Sequence, residues 1–342
     1  MADYLDLAIA KLQSVLDDYD LGRVARIGTL QCTGADSRFL FTTTSGEFLL
    51  KLSNAAREHE LKREIELLVF LSRHSFPCVT PLADRYGRFY RDHADRCLSI
   101  YQCPTGATVA VNDLNCEQLK EAGKALAHLH LIGKSYKKTI DARSSFEQVA
   151  ELYWLIRPRL PSFFGKICRL LDEEFDHLRR FLEQRLPRGL IHGALFADRL
   201  LFRGDRLTSI IAFDSATRGK FITDLATAVN ALCFVDESYK VERFRCLTAG
   251  YESVRALSLS EWDAFPNELR FSALRLTVTA IADWLRSDNG VRANDQFQTF
   301  LDRLRVLRRE KSGGMEELLM AMATGYDYRR YQKVKLAEKN YP

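Results

Sequence analysis

The chain reads as an α+β protein of two lobes, a small antiparallel-sheet lobe followed by a larger, mostly helical one. Three observations predict this. Its 342 residues exceed one average domain of about 150. Residues 20 to 103 carry β-forming runs around one inserted helix, which is α+β order and not repeated βαβ. Beyond Pro104-Thr105-Gly106, which reads as a linker, the pattern turns helical.

Met1 to Leu16 predicts an amphipathic helix with Leu5, Ile9, Leu12 and Leu16 on one face and Asp3 as its N-cap. Arg23–Leu30, Ser37–Thr44 and Glu47–Leu52 predict strands, with Ser45-Gly46 turning between the last two. A helix is expected from Ala56 to Arg73, buried through Leu61, Ile65, Leu68 and Val69. Arg88–Tyr90 and Cys97–Gln102 predict two more strands, separated by the polar run Arg91–Arg96. In the second lobe Asn115 caps a helix to Ile132, with Gln118 in the capping-box position. Ser145–Arg157 and Lys166–Leu186 predict helices parted by Pro158 and Pro161, which cannot continue a helix ladder. Short strands follow at Leu190-Ile191, Leu200–Phe202 and Leu207–Ile211, with a turn at Arg203-Gly204-Asp205. Everything past Thr223 reads as helix, opened by Asp224.

Composition narrows the class. Hydrophobic residues make up 46% and charged residues 28%, which excludes a disordered chain, a collagen and a small disulfide scaffold. No apolar run reaches the ~18 residues of a membrane span. The N-terminus lacks a basic segment followed by an apolar one, so a cytoplasmic protein is expected. The eight cysteines contain no C-x-x-C pair and are expected to be reduced, mostly buried thiols. A net charge of +5 does not call for nucleic acid.

The informative stretch is Gly189–Asn230, GLIHGALFADRLLFRGDRLTSIIAFDSATRGKFITDLATAVN. A strand enters a loop at His192-Gly193, and a hairpin returns to a second loop at Ala212-Phe213-Asp214. The segment resembles the catalytic core of the aminoglycoside-phosphotransferase superfamily, whose pattern is H-G-D-L-x-x-x-N followed by I-D-F. It is similar above all to the homoserine kinase branch, through HGALFADRLLF, IIAF and DLATAVNALCF. The similarity extends to Tyr19–Gly22, Gly123–His130, Gly250–Glu252 and the helix containing Arg275, and covers about residues 15 to 310. It implies a bilobal, protein-kinase-like fold that transfers a phosphoryl group from ATP to a small-molecule hydroxyl. Such transfer needs a carboxylate at the acceptor hydroxyl, and oxygen donors that hold Mg²⁺ against the phosphates.

The sequence departs from the pattern at those places. The resemblance puts Ala194 where the family has its catalytic Asp. It puts Arg199 at the metal-binding Asn and Ala212 at the metal-binding Asp. Alanine can neither accept a proton nor bind a cation, and losing a general base costs about 10² to 10⁴ in rate. A divalent ion 4 Å from the Arg199 guanidinium meets a repulsion of order 8 kcal/mol at an effective dielectric near 20. His192, Asp198 and Asp224 are kept, and in kinase-like folds the His and the late Asp brace the catalytic loop.

The expectation is therefore a pseudokinase of homoserine-kinase type that acts by binding. The alternative is an active phosphotransferase using the displaced carboxylates Asp198 or Asp214. For nucleotide binding the candidates are Lys51, paired with Glu64 or Glu60, and Arg199, whose guanidinium can stand in for a cation so that ATP binds without Mg²⁺. The plainer readings are a solvated strand lysine, and a surface arginine paired with Asp198, Asp205 or Asp214. No metal site is expected. Gly34–Ser37 reads as a plain turn, or as the loop that covers phosphates. His128 and His130 read as packing and capping groups, and Trp154, Trp262 and Trp284 as core or groove aromatics. The expected division is an N-terminal lobe, 1–103, a helical lobe with the degenerate loops, 104–310, and a C-terminal extension, 311–342. The aromatic and basic stretch 315–339 is either a docking segment for a protein partner or a helix folded back on the second lobe. A small-molecule or nucleotide ligand is expected, and neither membrane nor nucleic acid.

Overall fold

The computed structural model describes residues 12–33, 36–93, 96–138, 145–182, 185–286 and 296–309. The start of the N-terminal helix, Gly34-Ala35 and the extension 311–342 lie outside the described residues, as does the side chain of Asp36. The chain divides into two compact units. The first holds Met1–Ala107 with Leu201–Arg203 and Leu207–Asp214, and the second holds the rest.

The first unit is built on a five-stranded antiparallel sheet. Its strands are β1 (Val24–Thr33), β2 (Asp36–Thr43), β3 (Gly46–Asn54), β4 (Tyr90–His93) and β5 (Arg96–Gln102), in the order β1-β2-β3-β5-β4. Strand alternation sends Phe48, Leu50, Leu98 and Ile100 to one face, where Leu12, Leu16, Tyr19 and Phe41 complete a core. The other face carries Cys97, packed with Leu61 and Ile65 of helix α1 (Glu58–Arg73). The polar run Arg91–Arg96 does not separate the strands as expected. Arg91 lies inside β4, an edge strand, and pairs with Asp18 and Asp84. Polar side chains suit an edge strand because one side of it stays open to water.

Residues 201–203 and 207–214 return to this unit. They carry most of β8 (Leu200–Arg203) and β9 (Arg206–Ile210), which form a sheet with β6 (Ala107–Thr108) in the order β6-β8-β9. The Ile210 N–H donates to Pro77 O at 2.8 Å, and Phe213 meets Phe76 edge-on.

The second unit is mostly helical. Its helices are α2 (Cys116–Gly133), α3 (Phe146–Ile156), α4 (Gly165–Leu178), α5 (Phe221–Leu232), α6 (Val241–Glu252), α7 (Leu259–Arg286) and α8 (Gln296–Arg309). Asn115–Gln118 and Ser145–Gln148 form reciprocal capping boxes at α2 and α3. Helices α2 and α6 pack backbone to backbone. A Cβ on Gly123 would meet Leu247 O at 2.1 Å, and one on Gly250 would meet Lys120 O at 2.1 Å.

Several expectations are corrected here. Helix α4 stops at Leu178, because its buried stripe Ile167, Leu171, Phe175, Leu178 is followed by exposed arginines. Strands β7 (Arg188–Ile191) and β10 (Thr217–Lys220) pair antiparallel ahead of α5. A short hairpin, β11 (Phe234–Val235) with β12 (Ser238–Tyr239), interrupts the expected run of helix. Asp236 and Glu237 turn it with φ of 48° and 59°, a left-handed pair usually signalled by Asn-Gly and here by neither residue. The cysteines are not all free thiols: Cys116 and Cys246 form a disulfide between α2 and α6. Of the tryptophans, Trp154 is exposed, and Trp262 and Trp284 are half-buried.

Candidate active site

Each unit carries part of the predicted machinery. In the first, Lys51 projects from β3 on the face opposite Leu50, toward α1. It is 6% exposed, and its Nζ lies 2.6 Å from Glu64 Oε2. Of the two candidate partners the structure selects Glu64. Glu60, one turn earlier, accepts instead from Arg57. A solvated strand lysine is thereby excluded. The second loop follows β9 in the same unit. Ala212 sits there with φ of 63°, left-handed backbone that costs an L-residue roughly 1–2 kcal/mol and is tolerated best by Gly, Asn and Asp. Asp214 is exposed.

In the second unit the loop His192–Arg199 leaves β7. The buried Asp224, in the first turn of α5, holds it from below. Asp224 Oδ2 accepts from His192 N–H and Oδ1 from Gly193 N–H, both at 2.8 Å. From the other side the Arg275 guanidinium donates to Gly193 O at 2.7 Å and to Thr227 Oγ1 at 3.1 Å. Gly193 has φ of 79°, and a Cβ there would meet Ser215 O at 2.5 Å, so only glycine fits. Ala194 is buried, Asp198 is exposed, and Arg199 is half-buried with its guanidinium 5.4 Å from the centre of the Phe196 ring. Asp205, one of the expected partners of Arg199, accepts from Asn115.

A buried relay supports Asp224. His130 Nε2 donates to Asp224 Oδ2 at 2.9 Å, and the Tyr251 hydroxyl donates to His130 Nδ1 at 2.6 Å. Arg255 in turn donates to Tyr251 and to Glu261. From the sequence His130 reads as a packing and capping group, and Arg275 carries no role of its own. Both belong to segments that resemble the family, Gly123–His130 and the Arg275 helix, and that was the available signal.

Burial alone would raise the Asp224 carboxyl. Hydrogen bonding and charge from His130, with the His192 N–H, hold it below the ordinary carboxylate range instead. Burial also dominates at His130 and lowers it, against the pull of Asp224. Burial pushes Arg275 down to about 10, with Asp224 opposing and Arg199 adding to the fall. Asp224 and His130 both bind protons more tightly unfolded than folded. Their stabilisation is complete above the unfolded histidine value near 6.5 and is lost as pH falls, first through His130 and then, below about 4, through Asp224. This part of the stability is expected to fall on acidification from roughly pH 6.5, while Glu252, which burial pushes up to about 7, works in the opposite direction over the same range. The difference in melting temperature between wild type and His130→Gln should therefore narrow from about pH 6.5 downward, as melts from pH 8 to 4 would show.

Where the resemblance puts metal ligands, a methyl group stands at 212 and a guanidinium at 199, and neither side chain can bind a cation.

An antiparallel-sheet unit followed by a helical unit, with a His-Gly loop pinned by a buried Asp, defines the protein-kinase-like phosphotransferase fold. The comparisons agree. Residues 33–257 match the phosphotransferase enzyme family known as APH, and the chain belongs to that family. It is 32% identical to the homoserine kinase of Azorhizobium caulinodans over 313 residues, covering 90% of this chain and 96% of that one. It is also 32% identical to the homoserine kinase of Nitrobacter hamburgensis over 318 residues, covering 92% and 96%. Among solved structures, amicoumacin kinase hAmiN in complex with AMP-PNP, Ca²⁺ and Ami is similar in fold, with a TM-score of 0.67 at 18% identity over 87% of this chain and 92% of that one.

Proposed function

We propose that this homoserine-kinase-like protein binds nucleotide, with Lys51 of the first unit as a phosphate contact, and has lost efficient phosphoryl transfer. The observation that carries the reading is a braced loop without its chemical groups. Asp224, Arg275 and Gly193 keep the backbone in place, while Ala194, Arg199 and Ala212 stand where base and metal ligands belong. A structure that had simply decayed would not be expected to keep a fully bonded buried carboxylate. Lys51 is buried and oriented by Glu64, so its charge is set in place before a phosphate arrives. Arg199 supplies positive charge without a metal.

A second reading is favoured by the names of the relatives, which are homoserine kinases over nearly their full length. In it the chain is an active ATP-dependent phosphotransferase using Asp198 or Asp214, both exposed on the two loops.

A thermal melt with ATP, in Mg²⁺ and again in EDTA, separates the two. Ligand at 100 times its dissociation constant adds about 2.7 kcal/mol of stability. The binding reading expects a shift in EDTA that Lys51→Met removes. It fails if the shift needs Mg²⁺ and if ATP is consumed at a rate lost in Asp198→Ala or Asp214→Ala.

A further inference from the structure

Helices α2 and α6 deliver the two outer members of the relay, His130 from α2 and Tyr251 from α6. The same helix pair carries a disulfide. Cys116, the first residue of α2, is bonded to Cys246 of α6 across 130 residues of sequence. Cys116 is exposed and Cys246 half-buried, so a reductant in solution can reach the bond. Other thiols of the chain compete poorly for it. Burial pushes Cys78 and Cys233 up to about 12 and raises Cys97 and Cys103 as well. These thiols stay protonated near neutral pH, and a protonated thiol does not attack a disulfide.

The helices meet through Gly123 and Gly250, each lying against the backbone of the other helix. At those two positions no side-chain ridge fixes the angle between them. The disulfide and the Tyr251–His130 hydrogen bond are directional ties on this pair. Other ties survive reduction. Arg243 of α6 donates to Val111 O and Leu114 O, just ahead of α2, and Leu119 of α2 and Phe244 and Leu247 of α6 are buried. The helices therefore stay assembled when the bond opens. Two thiols cannot share the space of one bond, so the pair must re-seat. His130 and Tyr251 ride on the helices that shift, and His130 donates to the carboxylate that holds the His192 and Gly193 amides.

We propose that the Cys116–Cys246 bond is a redox-sensitive switch, and that a dithiol reductant which opens it loosens the His192–Arg199 loop through Tyr251, His130 and Asp224. A thiolate of the dithiol attacks the exposed Cys116 Sγ, and the electron pair of the broken bond leaves on Cys246. The second thiolate of the reductant attacks the mixed disulfide and releases Cys116. Two electrons pass to the protein, the dithiol leaves as its own disulfide, and its two protons end on Cys116 and Cys246. The switch acts on the order of the loop and does not rest on nucleotide binding.

Hydrogen exchange on the full chain, before and after dithiothreitol, tests this, with the mass of the added hydrogens reporting the opened bond. In the wild type, reduction should speed exchange of the His192 and Gly193 amides at least about tenfold. It should lower the melting temperature by at least about 5 °C, because the bond closes a long loop. Re-oxidation should restore both. Cys116→Ser, at an exposed position, should match the reduced wild type and no longer respond to dithiothreitol. In Tyr251→Phe the link is already cut, so reduction should still lower the melt but leave the two loop amides as they were. A wild type whose melt falls while its loop amides keep their exchange has a staple there, which overturns the switch. A bond that dithiothreitol leaves intact in the folded chain overturns it too, as does a response that persists in Cys116→Ser.

Discussion

Asp224→Ala is expected to lower the melting temperature by about 10 °C. One carboxylate receives two backbone N–H groups of the loop and the Nε2–H of His130, all in a fully buried place. Removing it leaves three donors without acceptors. Removing one partner of a buried ionic network costs roughly 3–5 kcal/mol, and in a unit of this size each kcal/mol is worth about 2–4 °C. Asp224→Asn should be nearly as damaging, because its amide brings N–H groups to a place that already holds donors. Tyr251→Phe, further along the relay, should cost less, and its effect should not add to that of Asp224→Ala. Calorimetry gives the first number, and hydrogen exchange gives the local one. The amides of His192 and Gly193 should lose protection in Asp224→Ala. If they stay protected and the melt moves by less than 2 °C, roughly one kcal/mol, Asp224 is not what holds the loop.

The second large effect is a gain. The triple variant Ala194→Asp, Arg199→Asn, Ala212→Asp should acquire Mg²⁺-dependent ATP turnover, at least about 10² above wild type and up to 10⁴ from the general base alone. The backbone favours the change. Ala212 already has the left-handed φ that aspartate tolerates better than alanine, so Ala212→Asp should not lower the melt. Ala194 follows a glycine pinned on both sides, so an aspartate there would emerge from a fixed loop. The single variants should fall far short of the triple, because a base without a metal site and a metal site without a base each lack one part of a joint device. Turnover is measured by ADP release with L-homoserine present. A triple variant that binds ATP and turns over no faster than wild type would overturn the reading that these three positions limit turnover. A wild type as fast as the triple would establish the second reading.

The fold class was legible because its signals are local. Alternation in residues 37–52 and the 3.6-residue period of Leu61, Ile65 and Leu68 each report one element from one stretch of chain. The capping box at Asn115 was equally readable, whereas Ser145 was read only as the start of a helical stretch and its box with Gln148 comes from the structure. The β11–β12 hairpin was not, since Asp236 and Glu237 carry no turn signature. The disulfide was invisible because its cysteines stand 130 residues apart in a chain with eight of them. At the site, the two loops could be read from the Gly189–Asn230 segment, and only the family resemblance points to Ala194, Arg199 and Ala212 within it. The choice of Glu64 over Glu60 could not, because both lie on one helix face and only the capture of Glu60 by Arg57 decides between them. The Arg275 clamp on Gly193 spans 82 residues, and no local pattern encodes such a contact.

The return of residues 201–203 and 207–214 to the first unit bears on how the chain is made. The ribosome releases the five-stranded sheet long before it delivers Ile210 and Phe213, which bond and pack against Pro77 and Phe76. At about 5–20 residues per second, the hundred or so intervening residues take roughly 5–20 s to appear. Through that interval Phe76 and Pro77, in the loop that follows α1, lack these partners. A fragment cut at residue 107 would lack them permanently, so the N-terminal segment is a poor candidate for expression as an independent module.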